Sequence, residues 1–411
     1  MTTLDAHGGG ADAAAVFEEF NQSVGTGRYS PYPMFAELRA AGAVHPGIPD
    51  LGITEQAEGA APTFSVYSYD AVSEVLSDPA TYSSIAYADV IGQVMGRSLI
   101  EMDPPEHRGY RLILQHAFSR SAMEGWKTQL VEPLLDEMVA ELADEGRAEL
   151  VSRILFTFPV RTIAGLIGLP PEMFPLFHRL AIELIALSVD WERAERAAAT
   201  LADVFAEVLA ERRRVPTEDM MSILAFAEHD GERLTNEEIF SFLRLLLPAG
   251  AETTYRSSSS LLLALLTQQD QLDMLVADPS LFSAAVDEGI RWETPLLIAP
   301  RSTTRDVVLA GTELPEGSSL LLSLGSANHD EGRWTDPEVF DLTRRRQTHV
   351  GFGLKAHNCL GQHLAKMETE ALVRALLSEL PGLRLDPDAE EPYIAGTLLR
   401  SPPRLDVVWD A

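Results

Sequence analysis

The 411-residue chain is 46% hydrophobic and 23% charged, which supplies a substantial core and excludes global disorder. Its formal charge of −30 excludes a nucleic-acid binder and a protein that settles on acidic membrane surfaces. A single cysteine excludes an internal disulfide framework and suits a reducing cytoplasm, and no apolar run reaches the length that spans a bilayer.

Residues 1–30 read as a polar, Ala/Gly-rich tail with one helical turn around Ala13 to Phe20, and residues 31–411 as a single domain. Tyr32 to Arg39 has amphipathic helical spacing, Pro62 to Tyr69 alternates with period two as a strand does, and Asp70 to Leu76 returns to helix. Ser83 to Leu99 has weak periodicity and reads as a loop with a short helix, of a length often used for binding. Asp103-Pro104-Pro105-Glu106 opens the next helix, with Asp103 as cap, Pro104 at the first helical position and Glu106 at capping-box spacing. His107 and Arg111 then share one face of it.

From Met123 to Arg214 the pattern is helical apart from Gly168-Leu169-Pro170-Pro171. Thr235-Asn236-Glu237-Glu238 has capping-box spacing, and apolar periodicity runs on to Thr267. That predicts a helix of roughly 45 Å, at about 1.5 Å per residue, crossing the middle of the protein. Helices continue to Arg291, strand-like segments follow at Asp306 to Ala310 and Ser318 to Ser323, and a coil from Asn328 to Arg346 leads to the cysteine. The class is mainly α with minor β (α+β), and the lack of strand–helix alternation argues against a doubly wound sheet.

Four constellations carry chemistry. Phe352-Gly353-Leu354-Lys355-Ala356-His357-Asn358-Cys359-Leu360-Gly361 delivers the one cysteine to the mouth of a helix, whose partial positive charge and unpaired N–H groups favour a thiolate. A lone cysteine is most often a small buried hydrophobe, but a thiolate in such a loop is a good ligand for a soft, redox-active metal centre. In the central helix, Pro248-Ala249-Gly250-Ala251-Glu252-Thr253 sets small residues, an acid and a hydroxyl inside an apolar run. Gly250 permits close approach to the backbone and Pro248 removes one ladder hydrogen bond. Glu288 and Arg291 pair on one helix face, an arrangement that is usually a solvated surface pair. His107, Arg111, Arg301 and His357 are each ordinary surface residues when taken singly.

Taken in order, these motifs resemble the cytochrome P450 family, whose haem-ligand loop is similar to the segment from Phe352 to Gly361. The resemblance implies a long central helix over a haem b held by the cysteine loop. Cys359 would be the axial iron ligand, Phe352 the aromatic beside the sulfur and Gly361 the glycine after it. Ala249, Gly250, Glu252 and Thr253 would form the oxygen-activation segment, Thr253 organising water and Glu252 relaying protons from solvent. His107, Arg111, Arg301 and His357 would hold the two propionates. Glu288 and Arg291 would form a buried structural pair completed by Arg344 or Arg345.

The loop departs from the family pattern at Lys355, where glycine is usual. Glycine there means a left-handed backbone, which costs a non-glycine residue roughly 1–2 kcal/mol, so a differently bent loop or a less tightly held haem is expected. The implied function is a cytoplasmic monooxygenase that inserts one oxygen atom from O2 into an apolar small molecule. A ferredoxin or flavodoxin with an NAD(P)H-dependent reductase would supply electrons, docking on Arg108, Arg344, Arg345, Lys355 and Lys366. The alternatives are a peroxide-driven peroxygenase and a haem- or ligand-binding protein without oxygenase activity. The pocket would draw on Tyr87 to Val94, Ile182 to Leu187, Leu246, Leu247, Leu296 to Ile298 and Leu398, which are mostly aliphatic.

Overall fold

The computed structural model describes residues 15–21, 29–48 and 61–410. Five helices position the site: α1 (Glu106–Ala117), α2 (Asn236–Leu246), α3 (Thr253–Thr267), α4 (Phe282–Trp292) and α5 (Gln362–Glu379). Beside them lie strands β1 (Val44–Pro46), β2 (Thr63–Val66), β3 (Tyr82–Ser83), β4 (Ile298–Thr303) and β5 (Ser319–Ser323).

The central helix starts as its sequence dictates. The Thr235 hydroxyl accepts from the Glu238 N–H, and the Glu238 carboxylate accepts from the Thr235 N–H at 2.7 Å, closing both halves of a capping box. The helical path then runs from α2 to α3 through a π-helical segment, Leu247–Glu252. Pro248 brings no N–H to the ladder at that point, and the wider turn absorbs the mismatch. Buried Ser257, Ser258 and Ser259 bond back to the carbonyls of Thr254 and Tyr255, so this polar run crosses the interior without unsatisfied hydroxyls at those three positions. It does not reach solvent; α4 and α5 pack against α3.

The strands form a five-stranded sheet in the order β1-β2-β5-β4-β3, parallel between β2 and β5 and antiparallel elsewhere. Register sets Arg301 of β4 opposite Leu320 of β5.

Several local expectations change. Asp103 does not cap α1, which begins at Glu106. Its carboxylate instead accepts from the Ser83 hydroxyl and, at 3.0 Å, from the Ser84 N–H, fastening the loop after β3. Glu106 pairs with Arg97 rather than completing a box. The stretch from Met123 to Arg214 is interrupted by a strand, Arg147–Glu149, that pairs with Asp406–Val408. Ser83 to Leu99 contains a π turn, Ala88–Gly92, and a helical turn, Gln93–Met95.

Of the expected tail, residues 1–14 and 22–28 lie outside the described residues, but 15–21 is a helix built into the main core. Val16, Phe17 and Phe20 are buried there, and the Phe17 and Phe156 rings pack at a tilt with centroids 4.4 Å apart. Among the described residues no helix is long and apolar enough to cross a membrane.

Candidate functional site

The cysteine loop is a tight bend between the coil and α5. The Cys359 N–H donates to the Phe352 carbonyl at 2.7 Å, and Gly361 is the residue from which α5 starts. Gly353 has φ +64, and a Cβ there would meet the His357 carbonyl at 3.1 Å, so glycine is required on both counts. Lys355 takes φ 54 although it carries a side chain. The bend that glycine would supply is therefore present, and the expectation of a differently bent loop is replaced by a lysine held in the left-handed region.

Cys359 is half-buried. Its thiol pKa is raised by burial, while the Gly361 and Gln362 N–H groups and the Arg111 guanidinium pull it down. Burial outweighs the helix-terminus effect in the chain alone, so the expected preference for thiolate needs a cation at the sulfur. A Cβ built on Gly361 would meet no protein atom, which leaves that face of the loop free for a bound group.

The four predicted donors converge around this loop. The His107 and His357 rings lie 4.3 Å apart, and His357 Nε2 is 3.1 Å from the Ser84 hydroxyl, a partner that sequence reasoning missed. Burial, with Arg111 behind it, lowers the His107 pKa to about 4; burial with Arg301, His107 and Arg111 lowers that of His357 to about 3. Both are neutral at pH 7 and can act there as N–H donors rather than cations. His107 Nε2 is buried without a partner.

Arg111 donates to the Asn358 carbonyl at 2.7 Å, and buried Arg301 donates to the Pro300 carbonyl at 2.7 Å with Tyr87 5.8 Å away. Among the described residues neither guanidinium meets a carboxylate. An unpaired buried cation such as Arg301 is costly, and with half-buried Arg111 and an orphaned imidazole beside it the set fits a dianionic ligand. With a thiol at the same loop, the donor set fits the iron and two propionates of a haem.

On the central helix, Ala249 is exposed and Thr253 half-buried, and the Thr253 hydroxyl donates to the Ala249 carbonyl at 2.7 Å. Gly250 does admit a close neighbour, but that neighbour is Ile163, whose Cδ1 would lie 2.8 Å from an added Cβ. Glu252 is buried rather than on a solvent path, and Arg256 donates to it through Nη2 at 2.9 Å and Nε at 3.2 Å. Burial raises its pKa and Arg256 opposes the rise. Arg256 went unnoticed in the sequence, though its place four residues after an acid on a helix was a usable signal.

Glu288 and Arg291 form a fork of 2.7 and 2.8 Å, both buried. Arg344 supplies the third member, Nε to Glu288 Oε1 at 2.9 Å, and Arg345 does not take part. Arg291 also binds the carbonyls of Asn328 and Pro337, tying α4 to the coil before the cysteine. On the same side a depression of about 420 Å³ is lined by Arg345, Arg346, His349, Phe352 and Lys366. Two of the five expected docking cations are committed elsewhere, since Arg344 serves Glu288 and Lys366 lies 2.5 Å from Asp287. Arg108, Arg345 and Lys355 are exposed.

Comparison with known proteins bears on the family and the fold. The family model for cytochrome P450 matches residues 170–408. The chain is 32% identical to the vitamin D(3) 25-hydroxylase of Pseudonocardia autotrophica, over 95% of this chain and 96% of that one. It is also 32% identical to the steroid C26-monooxygenase of Mycolicibacterium smegmatis, over 76% and 79%. Among solved structures, CYP109E1 from Bacillus megaterium in complex with testosterone superposes with a TM-score of 0.83 at 28% identity, covering 93% of this chain and all of that one.

Proposed function

The chain belongs to the cytochrome P450 family, whose members are haem-thiolate monooxygenases, and we propose that it holds haem b through Cys359 and hydroxylates an apolar, steroid-sized molecule. The observation that carries this reading is the convergence of two unpaired guanidiniums, Arg111 and Arg301, and a partnerless His107 on the loop bearing the only cysteine. Relatives named for steroid and vitamin D(3) substrates support the substrate class, as does the mostly aliphatic character of the positions expected to line the pocket.

Bound haem supplies the redox chemistry, RH + O2 + 2 electrons + 2 protons giving ROH and water. The chain's own tasks follow from its residues. Cys359 donates its sulfur, and Arg111, Arg301, His107 and His357 hold the anionic edge, with Phe352 and Gly361 shaping the loop. Ala249 brings little side-chain bulk to the exposed side of the π segment, and Gly250 lets Ile163 close against that segment. Thr253 offers a hydroxyl that hands protons into a dry pocket, and Glu252 behind it is the acid that resupplies them. Glu288, Arg291 and Arg344 brace the thiolate side. Electrons come from a ferredoxin or flavodoxin and an NAD(P)H-dependent reductase, with Arg345, Arg346 and Lys355 as the available cations for an acidic donor in the cytoplasm.

The test is the absorption spectrum of the dithionite-reduced protein under carbon monoxide. A strongly red-shifted Soret band, lost in Cys359→Ser, is the expected result. Haem bound with an unshifted band would overturn the ligand assignment.

A further inference from the structure

Residues 395–401 form a small loop that owes its shape to one buried arginine. Ala395 and Ser401 close it, their N–H groups donating to each other's carbonyls at 3.0 and 3.2 Å, and Gly396 turns it at φ 103. Arg400 is 2% exposed, and its Nη1 donates to the Gly396 carbonyl at 2.7 Å and to the Tyr29 carbonyl at 3.2 Å. Its Nε donates to Glu293 Oε1 at 2.8 Å. Glu293, 3% exposed, stands just past the end of α4, and the Tyr32 hydroxyl donates to the same oxygen at 2.8 Å.

The loop is fastened to the segment that leads into β4. The Leu297 N–H donates to the Leu398 carbonyl at 2.7 Å, the Arg400 N–H donates to the Pro295 carbonyl at 2.9 Å, and Leu296 bridges to Leu399. Leu297 lies four residues before Arg301, about 13 Å of extended chain from the guanidinium proposed for the haem edge. A ligand lying over that edge therefore reaches the loop. Leu398 is 44% exposed although its backbone is clamped, and among the described residues beyond 340 no other large apolar side chain is so open.

A buried ion pair is seldom worth more to the fold than a well-packed apolar pair of the same volume. What its bonds add is direction. We infer that Glu293 and Arg400 are positioning residues for substrate selection, holding the 395–401 loop so that Leu398 stands as a fixed wall of the pocket beside Leu296. This rests on the pocket proposed over the cysteine loop and assigns the pair that shapes one side of it. A lysine at 400 would keep the charge but not the rigid fork that reaches acceptors on separate segments.

Two azole ligands of the full-length holoenzyme test this by difference spectroscopy. Imidazole needs only the iron, whereas clotrimazole adds three apolar rings that press on the pocket wall. Glu293→Gln/Arg400→Met leaves no unpaired buried charge. In it clotrimazole is expected to bind about tenfold more weakly, as for the loss of one leucine contact, while imidazole stays within about twofold. Leu398→Ala should reproduce that selective loss. Combining it with the pair variant should add nothing further, since both remove the same wall.

Arg400→Lys should show the same selective loss, and it serves if the pair variant fails to fold. Unchanged clotrimazole affinity would overturn the positioning role, as would losses that add in full when Leu398→Ala joins the pair variant. Equal weakening of both azoles would overturn it too, by making the pair a general brace. Imidazole that leaves the Soret band of the natural chain unmoved would instead overturn the haem site on which the inference rests.

Discussion

Lys355 stands where the loop turns through the left-handed region, at φ 54, three residues after Phe352 and four before the thiol. An L side chain there costs roughly 1–2 kcal/mol, of which the added chain entropy of an unfolded glycine would take back about half. Lys355→Gly is therefore expected to raise stability by about 0.5–1 kcal/mol, read as a higher urea midpoint with an unchanged slope. A lower midpoint would mean that the lysine side chain stabilises the loop by more than its backbone costs. The position was legible as a departure from the family loop; its conformation followed from what glycine does there. Arg256 was not read, because a salt bridge one turn after an acid looks like any other until both partners are known to be buried.

Among elements, α4 is braced by a buried carboxylate with three donors. Glu288 accepts from Arg291 and Arg344 and, at 3.2 Å, from the Asp341 N–H. Glu288→Gln leaves two buried or part-buried guanidiniums facing a neutral amide, and breaking a buried pair this way costs about 3–5 kcal/mol. The expected outcome is a thermal midpoint lowered by several degrees together with loss of haem on gel filtration. A variant as stable as the natural chain would show the brace to be dispensable.

Elements whose signals are local were readable, such as the capping box at Thr235 and the helix after Cys359. Elements fixed by distant partners were not. The strand at Arg147–Glu149 is only three residues long and owes its existence to Asp406–Val408, and the Glu149 carboxylate joins them by accepting from the N–H groups of Val151 and Leu405. Asp103 looked like a cap because its spacing from Glu106 is right, yet the loop at Ser83 and Ser84 competes for the same oxygens and wins. The helix at 15–21 offers only Val16, Phe17 and Phe20 as an apolar face, too few to separate core from tail without the aromatic cluster that receives them.

At the scale of the whole molecule, buried imidazoles set the acid limit. His329 is fully buried, stacked on Tyr32 at 3.8 Å, and burial followed by Arg291 lowers its pKa to about 3. The ordinary value is 6.5, so between pH 6.5 and about 3 the unfolded chain binds the extra proton. Stability is thus expected to fall as pH drops through that window, by up to about 1.4 kcal/mol per pH unit from this group. His329→Gln should flatten the urea-stability curve between pH 6.5 and 4 by that slope; an unchanged curve would show that the imidazole protonates freely in the fold.

The π segment at Leu247–Glu252 has a different kind of consequence, for insertions and deletions. Each residue turns an α-helix by about 100°. Gain of one residue between 247 and 252 would rotate α3 against α2 by that angle and sweep Thr253 and Arg256 to new faces, while the capping box and α2 stayed in register. Substitution along this stretch is a question of side-chain fit. Lengthening it by one residue would put the two halves of the central helix out of phase and should be far less tolerated there than in the exposed hairpin at residues 228–233, whereas loss of one residue can be absorbed by the wide turn closing to an ordinary α turn.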